Sequence, residues 1–383
     1  MTNQKEQFNQ NIQLGVLGGG QLGRMLIQSA INFNLDIHIL DPDAEAPCKD
    51  IATHFSQGSL TDYDTVYRWG QKLDLITIEI ENVNVEALKA LQKEGKKVYP
   101  QPEVIELIQD KRSQKQFYQG NNIPTSPFVL VENKADVQKH LDFLPAMNKL
   151  GREGYDGRGV QKIASAVDID KAFDKPGLLE KFVDFEKEIS VIVARNAQGE
   201  TKSFPVVELV FHPVQNLVEY LFAPASISEA IARKAESIAQ AVIEKLDMVG
   251  LLAVEMFVTK EGEVLVNEVA PRTHNSGHQT IEANITSQFE QHLRAILNLP
   301  LGATDAKIPS AMVNLLGEDG YTGIARYQGM DEVLAISGVA VHLYGKKLTK
   351  PFRKMGHITI VDTEQERLKE KAKQVKELLK VIA

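Results

Sequence analysis

Residues 12–20 run Ile-Gln-Leu-Gly-Val-Leu into three glycines, an apolar stretch that predicts a short buried strand ending at a tight turn. The next segment, 21–34, spaces its apolar residues as a helix does, and Asp-Ile-His-Ile-Leu-Asp at 36–41 reads as a second strand. Strand, glycine turn, helix and strand in that order open a parallel α/β sheet. A further strand is expected at 73–81, a helix near 84–94 and a short strand at 96–100. A helix around 103–119 runs into Gly120-Asn121-Asn122 and then Pro124 and Pro127, punctuation that places a domain boundary between about 105 and 125. From 127 to 211 short strands alternate with at least one helix, around 133–143. A longer helix is expected at 228–246, and two alternating strands flank Glu261-Gly262. Strands near 338–344 and 356–362 precede a charged amphipathic helix at 363–382. The pattern is α/β plus α+β, not a single doubly wound sheet, and it shows no internal repeat.

The 383 residues are enough for two to three domains. Hydrophobic content of 43% and charged content of 25% are ordinary for a globular chain, and a net charge of −8 argues against coating nucleic acid. Cys48 is the only cysteine, which excludes an internal disulfide framework. The first eleven residues are polar, unlike a secretory signal, and no apolar run approaches the ~18 residues of a membrane span. The expectations are a cytoplasmic protein with neither a membrane nor a nucleic-acid partner.

Gly18-Gly19-Gly20-Gln21-Leu22-Gly23 fits G-x-G-x-x-G between a strand and a helix, where glycines admit a phosphate to the helix N-terminus. Asp41, at the end of the second strand, stands where dinucleotide enzymes hold a ribose hydroxyl. Taken alone, this loop fits a dehydrogenase, another phosphate ligand or a turn that serves packing.

A second glycine loop, Lys149-Leu-Gly-Arg-Glu-Gly-Tyr-Asp-Gly-Arg-Gly159, carries three cations. Such a loop can fold over a triphosphate while Lys149 offsets charge on an inner phosphate oxygen; its bland alternative is a solvated hairpin tip. Downstream, Glu180-Lys181-Phe182-Val183 can offer backbone groups to an adenine edge and Glu188 can accept ribose hydroxyls, unless both are merely a charged strand edge.

The strands on either side of Glu261-Gly262 place two carboxylates together. If that pair is a two-residue loop, Glu255 faces Glu268 across the hairpin. Opposed like charges among apolar strand residues call for a bridging cation or a proton. Oxygen-only ligands beside a nucleotide suit Mg²⁺. Asn267 can add an amide oxygen only if a bulge turns it to the same face. Immediately afterwards, Arg272, His274 and Asn275 form a polar cluster suited to gripping an anion.

Together, Gly-Val-Leu-Gly-Gly-Gly-Gln-Leu-Gly-Arg-Met, Gly-Tyr-Asp-Gly-Arg-Gly, Val-Asn-Glu-Val-Ala-Pro-Arg-Thr-His-Asn-Ser-Gly-His and Arg-Lys-Met-Gly-His-Ile resemble the N5-carboxyaminoimidazole ribonucleotide synthetase family of purine biosynthesis, in order from about residue 12 to 362. The resemblance implies an ATP-grasp fold: a pre-ATP-grasp, Rossmann-like domain at 1–110, a small lid domain at 111–185 and a C-terminal ATP-grasp domain at 186–383. It implies a homodimer that uses ATP and Mg²⁺, or Mn²⁺ in its place, to join bicarbonate to 5-aminoimidazole ribonucleotide through carboxyphosphate. Carried over by position, Arg112, Lys149, the loop Gly154, Tyr155, Asp156, Gly157, Arg158 and Gly159, then Glu180, Lys181, Phe182, Val183, Glu188, His212, Asn267 and Glu268 contact ATP. Glu255 and Glu268 hold the metal, while Arg272, His274 and Asn275 handle bicarbonate or carboxyphosphate. Gly20, Gln21, Leu22, Glu79, Tyr155, Asp156, Lys346 and Arg353 surround the ribonucleotide, and Asp156 is the candidate for orienting or deprotonating its amine. Thr273 stands where the family has proline, Gln279 where it has an aromatic, and Arg152-Glu153 where a basic residue and glycine are common. The competing expectations are a formate-dependent glycinamide ribonucleotide transformylase-like enzyme and an NAD-dependent dehydrogenase.

Overall fold

The computed structural model describes residues 8, 11–152, 154, 159–211 and 217–383. The opening elements form a five-stranded parallel sheet in the order His54–Gln57, Asp36–Asp41, Gln13–Leu17, Leu75–Ile78, Lys97–Val98. Its central strands are apolar on both faces because helices cover both, as a parallel sheet requires. The sequence pattern gives no signal for His54–Gln57 or for the helix Tyr63–Gly70. Both are short and largely polar, and the helix starts where Asp62 accepts the Thr65 N–H at 2.8 Å.

The helix expected around 103–119 is two helices, Pro102–Ile108 and Lys111–Gly120. The break falls at Asp110, whose carboxylate caps the second helix by accepting the Arg112 N–H at 2.9 Å. Beyond it, an antiparallel four-stranded sheet runs Phe128–Val131, Gly177–Lys181, Ala146–Leu150, Val160–Ile163.

A nine-stranded antiparallel sheet follows, in the order Val264–Ala270, Gly250–Thr259, Phe185–Arg195, Val207–Phe211, Val218–Ala223, Ser310–Leu316, Lys354–Val361, Val339–Leu343, with Thr201–Ser203 beside Phe185–Arg195. The helix Glu229–Lys245 lays Ala235, Ile238, Ala239, Val242 and Ile243 against it. Gln288–Ile296, a helix without a distinct sequence signal, buries Phe289, Leu293 and Ile296 against the helix Gln21–Ile31. A buried contact between Thr77 Oγ1 and His292 Nε2 at 2.9 Å also ties the first sheet to this helix. The last helix stops at Leu378, short of the expected 382. Leu379 and Val381 enter the core, and Lys380–Ile382 pairs with Arg326–Gln328 as a strand.

Candidate active site

A cleft of about 300 Å³ opens between the four-stranded and nine-stranded sheets. Its apolar lining includes Met147, Val160, Leu209 and Phe211, and the Phe185 and Phe257 rings stack there at 4.6 Å. Among them stand Glu188, between Leu209 and Phe257, and Lys149, opposite Val160, and the lining continues through Glu180, Glu255, Asn267, Glu268, His274 and Asn275. Residues far apart in sequence thus form one surface of apolar and charged groups.

The hairpin around Glu261-Gly262 places Glu255 directly opposite Glu268. It reaches that register by a different route from the two-residue turn. The Thr259 N–H donates to Glu263 O at 2.9 Å, so the loop has three residues, with Gly262 at φ +77°. That shifts the pairing at the tip, and a bulge at Asn267 shifts it back before Glu268. Next to the bulge, Thr125 pairs with Val266: the Val266 N–H donates to Pro124 O at 2.8 Å and the Thr125 hydroxyl to Val266 O at 2.7 Å. The bulge turns the Asn267 side chain into the cleft, where its Oδ1 accepts from Lys149 Nζ at 3.0 Å.

Burial, with Glu268 and Glu188 close by, pushes the Glu255 carboxyl well above the usual range against the opposing pull of Lys354 and Arg272. Glu188 is raised to about 7, mainly by burial and then by Glu268. Among the described residues no group of three or more His, Cys, Asp and Glu forms a closed metal site. The two facing carboxylates instead form the oxygen donor set that suits Mg²⁺ completed by phosphate and water.

Lys149 extends from the strand Ala146–Leu150 and pairs with Glu180 at 2.7 Å; on the far side Lys115 pairs with the same carboxylate at 2.8 Å. The Glu180 side chain is only 3% exposed and is a buried anchor for two lysines at the edge of the cleft. Burial alone would depress Lys149, yet Glu180, Glu268 and Glu188 hold it above its ordinary value. Lys115 falls to about 8, where burial outweighs Glu180. In the connector that follows, the Lys181 and Phe182 N–H groups donate to Pro127 O and Pro145 O at 2.8 and 3.1 Å. The Lys181 ammonium caps the Phe143 and Leu144 carbonyls, while Phe182 and Val183 line the cleft.

Arg112 turns away from the cleft to pair with Glu132, whereas Lys111 lines it, with Nζ 3.5 Å from Glu268. Gly154 and Gly159 form the neck of the second glycine loop. Gly159 has φ +76°, and a Cβ there would lie 3.0 Å from Gly154 Cα. Gly159→Ala is therefore expected to raise the ATP KM about tenfold through backbone strain of ~1–2 kcal/mol. Steady-state kinetics at fixed second substrate checks this, and an unchanged KM would remove the neck's role. Tyr155, Asp156, Gly157, Arg158 and His212, together with Glu153, lie outside the described residues.

Past the hairpin, Arg272 Nε lies 2.9 Å from Glu81 Oε1. His274 Nε2 is 3.7 Å from Glu255 Oε1, and burial with Arg272 and Lys354 nearby holds its pKa well below the usual value. Asn275 and Asn314 exchange reciprocal amide hydrogen bonds at 2.9 and 3.0 Å. Glu81, Lys111, Lys115, Asn314 and Lys354 belong to this neighbourhood without having been singled out from sequence. Only Lys354 had a local signal, as the second residue of Arg-Lys-Met-Gly-His.

The first glycine loop binds carboxylates from its own chain. Gly20 N–H and Leu22 N–H (2.9 Å) donate to Glu79, and Gly19 N–H donates to Asp41 Oδ2 at 2.6 Å. Burial raises Glu79 against these N–H donors and that of Gly23. With its donors engaged and Asp41 turned inward, the loop has no cradle for a dinucleotide pyrophosphate, which overturns the dehydrogenase expectation. A basic hairpin leans on this loop's helix: Lys347 pairs with Glu45, and Gly345, at φ +74°, packs against Arg24. Within it Lys346 Nζ donates to Lys354 O at 2.7 Å and Arg353 to Leu348 O at 2.8 Å. Gly20, Gln21, Leu22 and Glu79 therefore share one side of the molecule with Lys346 and Arg353.

A family model described as a ribonucleotide synthetase preATP-grasp domain matches residues 12–109, an ATP-grasp domain model matches 116–289, and a phosphoribosylaminoimidazole carboxylase C-terminal domain model matches 310–371. The N5-carboxyaminoimidazole ribonucleotide synthase of Synechococcus elongatus is 38% identical over 91% of this chain and 89% of its own length. The chain belongs to the N5-carboxyaminoimidazole ribonucleotide synthase family. The crystal structure of the Thermotoga maritima synthetase of this family superposes with a TM-score of 0.90 at 43% identity, covering 97% of this chain and 99% of that one. An Aspergillus clavatus synthase of the family, solved with ADP and 5-aminoimidazole ribonucleotide, gives a TM-score of 0.88 at 33% identity over 96% and 98% of the two chains. The chain spans 63–64% of the length of matching relatives named phosphoribosylaminoimidazole carboxylase. Thr273 and Gln279 are buried beside the cluster, and the buried Gln279 Oε1 has no hydrogen-bond partner among the described residues.

Proposed function

We propose that the protein uses ATP and bicarbonate to carboxylate the exocyclic amine of 5-aminoimidazole ribonucleotide, giving N5-carboxyaminoimidazole ribonucleotide, ADP and phosphate. The observation that carries this is the cleft's charged lining: Glu255 opposite Glu268, with Lys149 and Lys111 on the facing wall. Family membership supports the substrate, and the three sheets support division at 1–110, 111–185 and 186–383.

ATP would lie with its base against the Phe185–Phe257 pair and its phosphates toward Lys149. A bicarbonate oxygen attacks the γ-phosphorus, the bond to the ADP oxygen breaks, and carboxyphosphate forms. The amine nitrogen then attacks the carboxyl carbon, phosphate leaves and the nitrogen loses a proton. Glu255 and Glu268 would hold Mg²⁺, which when bound supplies charge stabilisation to the phosphates. Lys149, fixed by Glu180 and Asn267, offsets charge on the transferring group without having to reorganise. Arg272, His274 and Asn275 would position the carboxyl oxygens. Lys346 and Arg353 would face the ribonucleotide phosphate, opposite the loop held by Glu79.

A cytoplasmic homodimer is the assembly that family membership supports. No helix among the described residues is long and apolar enough to cross a membrane. The deciding experiment is phosphate release from ATP with Mg²⁺ and bicarbonate, with and without 5-aminoimidazole ribonucleotide. Stimulation by the ribonucleotide that depends on bicarbonate is the expected result. Stimulation that depends on formate and glycinamide ribonucleotide instead would overturn it.

A further inference from the structure

His274 is held by more partners than a binding residue needs. Its backbone N–H donates to Gln288 Oε1 at 2.8 Å, and its carbonyl accepts from Gln288 Nε2 at 2.7 Å. The Gln288 amide also lies 3.2 Å from His278 Nδ1 and is fully buried, so its orientation is fixed. This clamp sets the backbone, while the ring is set separately. The Ser276 N–H donates to His274 Nδ1 at 3.3 Å, and Ser276 Oγ lies 2.9 Å from the same nitrogen. Ser190 Oγ, on the strand Phe185–Arg195, lies 2.8 Å from Ser276 Oγ, and both hydroxyls are buried.

A hydroxyl can donate or accept, but a backbone N–H can only donate. The Ser276 N–H therefore marks Nδ1 as a bare acceptor. The remaining directions follow: Ser276 O–H points at Nδ1 and Ser190 O–H points at Ser276 Oγ. The ring proton is left on Nε2, the nitrogen that lies toward Glu255 in the cleft.

We propose that Ser190 and Ser276 form a hydroxyl relay that locks His274 in the Nε2–H tautomer, so that it offers the bicarbonate or carboxyphosphate anion a hydrogen-bond donor and not a base. This deepens the carboxylation reading and rests on it for the identity of the anion. Ser190 and Ser276 are positioning residues, since they act on the anion only through His274. Ser276 sits inside the anion motif, and Ser190, 86 residues upstream, ends the motif Glu186-Lys-Glu-Ile-Ser190.

The test is long-range ¹H–¹⁵N correlation of the histidine rings in ligand-free protein, with His274 assigned by its loss in His274→Gln. The wild type should show a protonated Nε2 and a bare Nδ1. Ser276→Ala leaves only the longer backbone N–H on Nδ1, so it should shift the Nδ1 resonance, admit a minor Nδ1–H population and raise the bicarbonate KM about tenfold, with the ATP KM within about twofold. Ser190→Ala should act in the same direction more weakly, and Ser190→Thr, which keeps the hydroxyl, should restore both spectrum and KM. If Ser276→Ala does not fold, the Ser190 pair decides. A protonated Nδ1 in the wild type, or alanine variants with unchanged spectrum and KM, would overturn the relay. A wild type with the expected tautomer but no bicarbonate-dependent turnover would overturn the carboxylation reading and the anion-donor role, leaving only the tautomer lock.

Discussion

Glu255→Gln is expected to cut ribonucleotide-stimulated phosphate release about a thousandfold while raising the melting temperature of the ligand-free protein. The two effects have one cause. Glu255 is buried opposite Glu268 and near Glu188, and its folded-state pKa lies well above the usual carboxylate value. A group raised on folding binds more protons in the folded than in the unfolded state, so stability falls as pH rises from the unfolded value through the folded one. Above the folded value the charge remains a full penalty unless a cation answers it. Glutamine removes that penalty, and relief of ~1 kcal/mol would lift the midpoint by about 1 °C. The gain over wild type should shrink as pH is lowered, because wild-type Glu255 then takes up its own proton. Added Mg²⁺ with ADP should stabilise the wild type and leave the variant nearly unmoved. Activity within tenfold of wild type would show that the pair does not hold the metal. A fall in melting temperature would show that the carboxylate is not strained.

The Glu255–Glu268 pair was legible because strand alternation exposes it: a register needs only a turn position and a count. The count survives two compensating departures, the three-residue loop and the Asn267 bulge, and the residue paired beside the bulge, Thr125, is well over a hundred residues away. Periodicity likewise revealed the first parallel strands and the long helix at 229–245, since each buries a continuous apolar face. The side chains that set direction were not legible. Arg112 and Lys111 are neighbours of like charge, and nothing in their sequence says that Lys111 reaches Glu268 while Arg112 pairs with Glu132. The amide pair of Asn275 and Asn314 joins segments 39 residues apart, and the Thr77–His292 contact spans 215. The first glycine loop shows the same limit from the other side. Its motif is real, yet Glu79 and Asp41 already engage the donors a phosphate would use, and nothing local to the loop announces them.

Removal of the Glu180 carboxylate should cost the most stability. Glu180→Gln leaves the Lys115 and Lys149 ammonium groups buried without their shared carboxylate, a loss of about 3–5 kcal/mol for one broken buried ion pair. Lys115 already sits near 8 with Glu180 in place, so without it the amine should be largely neutral near pH 7. A lysine depressed on folding binds fewer protons in the folded state, so the variant's deficit should be largest at mildly acidic pH, where wild-type Glu180 is still ionised, and narrow as pH rises toward 10. Freed of its anchor, Lys149 should also lose its fixed aim, raising the ATP KM by about 10–100-fold. Adding Lys115→Met to Glu180→Gln should recover part of the stability, because one of the two unpaired charges is gone, without recovering the KM. Urea midpoints across pH and ATP titrations of the single and double variants separate these effects. A single variant that unfolds at the wild-type urea concentration would mean that Glu180 is a bystander. A double variant no more stable than the single would mean that Lys115 is not the charge it holds.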